Sequence, residues 1–368
     1  MTDKVRYAVV GLGHISQVAM LPAFDHAENS ELVALVSGDA VKLETLGAMY
    51  DIEHTVGYDD FDRLCESGEI DAIYLALPNH LHCTYTERAA RRGVHVLCEK
   101  PMAVTEEECE RMMRACEEAD VRLMIAYRLH FEPANLGVVQ RILDGALGEL
   151  RYFSSVFSQD VKEGDIRLAP LERGGGSVYD VGIYCVNAAR ALFRDEPVEV
   201  SAMMVQGSDP RFADCDMTTT ATLRFPGDRL AQFTTSFGSF RLSSFRIVGT
   251  EGQVRMEPAY DYATEHVTEI RTRRGRDLQV TGKRDQFAPQ LVYFSDCIRA
   301  GRTPEPDGLE GLADVRIIRA ILASARSGGR PVSIEPVPQR RRPVPAQELN
   351  RPPVEKPDEI KASGPSKK

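Results

Sequence analysis

The chain has 368 residues, 43% of them hydrophobic and 27% charged, which is the composition of a globular protein large enough for more than one domain. Its formal net charge of −10 argues against a nucleic-acid partner, which would need a basic face. No apolar run approaches the roughly 20 residues of a membrane span, and Met1-Thr2-Asp3-Lys4 leads straight into a strand-like run with no signal peptide.

The first elements alternate. Val5 to Val10 reads as a strand, ended by Gly11-Leu12-Gly13, and a helix follows that Pro22 should break or restart. Glu31 to Val36 is a second strand, and 39–49 a helix. Asp71 to Leu77 is a strand ended at Pro78, followed by a helix from about Leu81 to Arg92 closed by Gly93. The apolar run 94–98 then meets Glu99-Lys100-Pro101. Thr105 and Glu108 have the spacing of a capping box for a helix to about Glu118, and 121–126 is one more strand. Strands alternating with helices imply a doubly wound parallel sheet.

After Tyr127 the pattern changes. A helix over 133–143 precedes strand-like runs at 150–157, 198–205, 217–225, 229–237, 243–248 and 252–256, interrupted by a helix from about Ser177 to Leu192. Runs of strands without crossovers predict a large, mostly antiparallel open sheet, closed by helices at about 286–300 and 308–327. The expected division is a Rossmann domain over 1–127, an α+β substrate and dimerisation domain over 128–335, and a flexible tail over 336–368. That tail is rich in Pro and charge, has no hydrophobic period, and reads as a solvated linker even at Arg340-Arg341-Arg342. The eight cysteines show no Cys-x-x-Cys spacing, so they read as reduced thiols of a cytoplasmic protein with no metal site.

The chemistry gathers at strand ends. Gly11-x-Gly13-x-x-Ser16 lets backbone approach a pyrophosphate, and His14 and Ile15 open the helix whose N-terminal N–H groups would receive it. The second strand ends in Ser37-Gly38 with Lys42 a turn later; a hydroxyl, an amide and a cation suit the 2′-phosphate of NADP(H). Asp39 opposes this, because its carboxylate would repel a phosphate, and NAD(H) stays open; its alternative role is helix N-cap. Leu77, Asn79 and His82 end the next strand, where an amide or imidazole can meet the cofactor, although the histidines also fit a plain helix start. Glu99 and Lys100 follow the next, and the residue before proline is kept out of helical geometry, so Lys100 is presented at the ligand edge.

A second constellation is Gly174-Gly175-Gly176-Ser177 running into Asp180 and Tyr184, four apart and so on one helix face. A carboxylate and a phenol near a lysine form a proton-transfer set for an alcohol, Lys100 stabilising a phenolate at Tyr184. Equally, Tyr184 could be a core aromatic and Asp180 its surface neighbour.

With these motifs in order, the chain resembles the Gfo/Idh/MocA oxidoreductases, and within them the glucose-fructose and aldose-aldose oxidoreductase branch. The matching stretches are 36–38, 77–82, 98–103, 127–133, 174–177 and 180–184, within a resemblance running from about 5 to 334. It implies that Lys100 and Tyr184 contact the sugar hydroxyl being oxidised and that Asp180 helps bind the sugar. It implies an NADP-type pocket at Ser37 and Lys42, a sugar pocket reached by Arg128, His130 and Arg167, and Arg128 also near the cofactor. It further implies a homodimer or homotetramer through the C-terminal sheet. Asp39 departs from the branch, which carries an amide there, and no N-terminal arm of the periplasmic enzyme is present to retain cofactor. The activity expected is NADP(H)-dependent oxidation of an aldose at C1 to a lactone; in that branch the cofactor can stay bound and be recycled by a second sugar. Alternatives are a dehydrogenase of a pyranose or cyclitol ring hydroxyl or of a dihydrodiol, and a non-catalytic nucleotide sensor, which would not need Lys100, Asp180 and Tyr184 together.

Overall fold

The computed structural model describes residues 4–338 and 341–366. Two compact units emerge. The first gathers Met1–Arg128, Asp285–Gly311 and Asn350–Gly364; the second gathers Leu129–Arg284, Leu312–Leu349 and Pro365–Lys368. The chain therefore returns to the first unit twice, where a linear division at 127 and 335 expects one crossing.

The first unit holds six parallel strands, β1 (Val5–Val10), β2 (Ser30–Val36), β3 (His54–Val56), β4 (Ala72–Leu75), β5 (His95–Cys98) and β6 (Leu123–Ile125), in the order β3-β2-β1-β4-β5-β6. β4 reads as an unbroken apolar run and β1 as one broken only at Arg6 because helices cover both faces of a parallel sheet; every residue of β4 is buried. One cover is the returning helix Ala288–Arg299. Its Ser295 Oγ lies 2.9 Å from Tyr7 Oη and 2.8 Å from Ser30 Oγ, and Asn29 Nδ2 donates to the Val292 carbonyl at 3.0 Å. The helix Glu106–Glu118 carries both halves of its capping box between Thr105 and Glu108.

The helix after β1 corrects one expectation. Pro22 does not break it. The chain widens into a π turn over Ser16–Met20, where Leu21 N–H donates to the Ser16 carbonyl, and continues through Leu21–Ala23. The wider register comes just before the residue that has no N–H to give. Strand β3 and the helix Phe61–Glu66 had no sequence signal, being only three and six residues long.

The second unit is a nine-stranded sheet of β7 (Leu150–Asp160), β8 (Glu199–Val205), β9 (Thr218–Phe225), β10 (Arg229–Ser236), β11 (Gly238–Gly249), β12 (Gly252–Met256), β13 (His266–Thr272), β14 (Gly275–Thr281) and β15 (Val332–Ser333). The order is β14-β13-β12-β11-β7-β10-β9-β8-β15, antiparallel except where β10 lies parallel to β7. Phe153, Ser155 and Phe157 of β7 alternate inward under the helix Ile183–Phe193, with Ser155 Oγ 3.2 Å from Cys185 Sγ and the Phe193 and Phe225 rings 4.9 Å apart. The β13–β14 hairpin is absent from the sequence reading because β14 is polar and almost wholly exposed, so no apolar face marks it.

The tail also departs from expectation. Arg340 lies outside the described residues, but Arg342 pairs with the buried Glu196, Arg194 Nη1 donates to the Pro343 carbonyl at 3.0 Å, and Asp285 N–H reaches the Arg351 carbonyl at 3.3 Å. A segment too polar to build its own core can still be ordered by hydrogen bonds to a surface that is already folded. All eight cysteines are buried, and none is in a disulfide. Among the described residues no helix is long and apolar enough to cross a membrane.

Candidate active site

In the first unit every strand runs the same way, so the turns after Val10, Val36, Leu75, Cys98 and Ile125 share one edge. The strand order reverses between β1 and β4, the switch point where open α/β sheets bind ligands. Gly11 passes there with φ of +93°, and a Cβ on it would stand 2.5 Å from the Ala76 carbonyl oxygen. Only glycine fits that crossing of β1 past β4. Ser16 is fully buried, and its Oγ donates to the Gly11 carbonyl at 2.6 Å, locking the helix onto the turn. Before Gly13 the space is open: a Cβ there would meet nothing within 4 Å. A tight turn, an open face and the helix start at His14 and Ile15 fit the pyrophosphate of a dinucleotide.

The end of β2 is built as a cap. Asp39 has φ of −106° and accepts from Val41 N and Lys42 N at 3.0 and 3.3 Å, while Ser37 Oγ accepts from Asp39 N at 3.1 Å. Asp39 thus performs the N-cap role, Gly38 lies against the Tyr58 ring, and Lys42 is a half-buried residue of the first helical turn.

Two expected cofactor contacts have protein partners in the structure. His82 is fully buried, with Nδ1 3.0 Å from the Pro101 carbonyl and Nε2 2.9 Å from the Leu77 carbonyl. Burial pushes its pKa down. It staples the end of β4 to the Glu99-Lys100-Pro101 turn and shows no face to a ligand. Arg128, also buried, is hydrogen-bonded to Gln286 Oε1. Leu77 is buried in the first unit beside the half-buried Asn79. At the end of β5, Tyr74 Oη donates to Glu99 Oε1 at 2.6 Å and Lys100 N–H lies 3.2 Å from Glu99 Oε2. Burial pushes the Glu99 carboxyl up in spite of these partners. The Lys100 side chain is half-buried at the ligand edge.

In the second unit the glycine loop closes on a buried acid. Gly176 has φ of +94°, and a Cβ on it would stand 2.0 Å from Asp216 Oδ1. Asp216 accepts from Ser177 Oγ and from Thr219 Oγ1, the latter at 2.8 Å, and burial pushes its pKa up. The helix then widens into a π turn over Val178–Gly182 and continues as Ile183–Phe193. Arg167 Nε donates to Asp180 Oδ2 at 3.0 Å, and the Tyr184 ring lies 5.5 Å from that of Phe157 and 5.8 Å from that of Tyr260. Both Asp180 and Tyr184 stay half-buried. The structure pairs two of the expected substrate residues, Arg167 and Asp180, and places Tyr184 four positions on in the same continuous helix.

His130 does not join them. It is 2% exposed, and its Nε2 lies 2.8 Å from Asn187 Oδ1 in a buried polar chain. Asn187 donates to Asp314 at 3.0 Å, Asp314 accepts from Arg190, and Arg190 forks Glu196 at 2.7 and 3.0 Å. A satisfied internal histidine replaces the expected sugar contact. This network and Asp216 carried no sequence signal, since their partners are tens of residues apart.

Residues 5–127 match a family described as an oxidoreductase family with an NAD-binding Rossmann fold, GFO/IDH/MocA, and residues 137–255 match its C-terminal domain. A D-xylose 1-dehydrogenase (NADP(+)) of Haloarcula marismortui is 33% identical over 333 residues, covering 88% of this chain and 92% of that one. The crystal structure of an aldose-aldose oxidoreductase from Caulobacter crescentus, complexed with glycerol, superposes with a TM-score of 0.86 at 38% identity, over 90% of this chain and all of that one. A dTDP-3,4-didehydro-2,6-dideoxy-alpha-D-glucose 3-reductase of Saccharopolyspora spinosa is 28% identical over 339 residues, covering 89% of this chain and 99% of that one.

Proposed function

The chain belongs to the Gfo/Idh/MocA oxidoreductase family, and on that premise we propose that it oxidises an aldose at C1 with NADP(H) as hydride carrier. Its likeness to a xylose dehydrogenase and to an aldose-aldose oxidoreductase supports a sugar as substrate. The observation that carries the reading is the Arg167–Asp180 pair with Tyr184 four positions on: a phenol left half-buried on the same helix as a carboxylate held by a guanidinium.

A nicotinamide dinucleotide held at the Gly11–Gly13 turn would supply a hydride acceptor at C4. As the C1–H bond electrons leave as hydride for that acceptor, the O1–H proton passes to the Tyr184 phenolate, the C1–O1 bond becomes a carbonyl, and the product is a lactone. Lys100 holds the ammonium that stabilises the oxygen while its proton departs. Asp180, fixed by Arg167, accepts a hydrogen bond from a neighbouring sugar hydroxyl and sets the ring's orientation. The Phe157 and Tyr260 rings keep the phenol in place and water away from its flank. Run backwards, the same groups reduce a second sugar.

Positioned acid–base groups contribute about 10²–10⁴-fold to rate. Tyr184→Phe is therefore expected to lower kcat by about 10²–10⁴-fold while NADPH binding, read by nicotinamide fluorescence, stays unchanged. A variant keeping a tenth of its turnover would sink the assignment. The 3-reductase relative favours a second reading, hydride transfer at a ring carbon. C1-deuterated aldose separates the two: transfer of the label to the nicotinamide supports C1 oxidation, and label retained in an oxidised product supports the ring carbon.

A further inference from the structure

Residues 359–364 lie beyond every motif of the family resemblance, yet they meet the dinucleotide turn repeatedly. Glu359 Oε2 is 2.6 Å from His14 Nδ1. Gln17 holds the main chain of Ile360 from both sides: Ile360 N–H donates to Gln17 Oε1 at 2.7 Å, and Gln17 Nε2 donates to the Ile360 carbonyl at 3.0 Å. A Cβ on Gly364 would come within 3.2 Å of the His14 imidazole. Upstream, Arg351 anchors the segment by forking Glu28 at 2.6 and 2.8 Å and donating to the His26 carbonyl at 3.0 Å.

Between these fastenings Lys361 has φ of +45°, a left-handed conformation that L residues rarely adopt. Such geometry persists where the surroundings over-determine it, and it clusters at functional sites. Here it carries Lys361 Nζ to 3.2 Å from Asp39 Oδ1. Asp39 stands at the end of β2, where dinucleotide folds distinguish a ribose 2′-hydroxyl from a 2′-phosphate. Alone, its carboxylate would repel a phosphate monoester. A Cβ on Gly13 would meet nothing within 4 Å, so the segment does not pack against that turn glycine.

We propose that Lys361 is a cofactor-specificity residue: the C-terminal segment lays an ammonium against Asp39, so that the ribose end of the site accepts the 2′-phosphate of NADP(H). Lys361 offsets the Asp39 carboxylate on the side where Lys42 stands in the first helical turn. This inference rests on the NADP(H) reading above.

The experiment measures Kd for NADPH and for NADH by reduced-nicotinamide fluorescence on the full chain. Lys361→Ala is expected to weaken NADPH about tenfold, the scale of one charge-assisted contact, and NADH by less than about twofold. Lys361→Arg should hold NADPH near the wild-type value. Adding Asp39→Asn to Lys361→Ala should recover NADPH affinity, because the uncancelled carboxylate is gone. Equal weakening of both cofactors, or of neither, would overturn the role of Lys361 while the NADP(H) reading stands. A wild-type protein that binds NADH more tightly than NADPH would overturn that reading itself.

Discussion

The two units present chemistry in different ways. In the first, the groups that matter sit on turns, and backbone holds the turns: Gly11 against Ala76, Ala76 N–H on the Val10 carbonyl at 2.9 Å, Gly11 N–H on the Val36 carbonyl at 3.0 Å. In the second, they sit on a helix over a mixed sheet, and buried polar side chains hold it: Asp216 beneath the glycine loop, and the chain from His130 to Glu196. A parallel sheet buried on both faces leaves functional side chains room only at its edge. A sheet with one open face can spend its covered face on a polar network. The first unit should therefore be brittle to added atoms, and the second to lost charges.

The largest stability effect is expected at Asp314, which is fully buried between Arg190 and Asn187. Asp314→Ala leaves a buried guanidinium short of a partner and should cost about 3–5 kcal/mol. Hydrogen exchange of the helix Ile183–Phe193 would report it, and exchange unchanged from wild type would break that contrast between the units. Gly11→Ala adds one methyl against a carbonyl and places an L residue at φ of +93°. It should cost about 1–3 kcal/mol, seen as faster exchange in β1 and β4 with the second unit unaffected.

The smallest effect tests a charge in the first unit. Asp71 accepts from Arg6 Nε at 3.0 Å, Nη2 at 2.7 Å and main-chain N at 2.8 Å, tying β1 to the start of β4. Desolvation raises its pKa, but the Arg6 bonds outweigh it and hold the group below the ordinary 3.8. A depressed folded pKa gives stability that is present above the unfolded value and lost as pH falls through the folded one. The pair is about a third exposed, so Asp71→Asn should cost only about 0.5–1 kcal/mol at pH 7. That deficit should shrink below about pH 4, as read from urea midpoints. A deficit that grows on acidification would contradict the assignment.

Much was legible in the residues. Strand runs buried on both faces, the Thr105–Glu108 capping box and the Asp39 cap are local patterns, and local patterns are what a sequence displays. The glycine turn and the Lys100 and Tyr184 motifs were legible too, because each is a short run with a chemical reason. His82 and His130 were not. A histidine beside a motif looks like a ligand until its ring nitrogens are seen meeting Leu77, Pro101 or Asn187.

By itself, then, the sequence determined two alternating regimes of strand and helix, the dinucleotide turn, and the candidate proton-transfer residues. Tertiary structure alone decided which polar groups face inward, that Ala288–Arg299 returns to cover the first sheet, and that a tail with no hydrophobic period settles on His14, Gln17 and Asp39. The reason is range: periodicity and capping act over a few residues, whereas these partners lie 322 to 345 positions apart and meet only once the surface between them has formed.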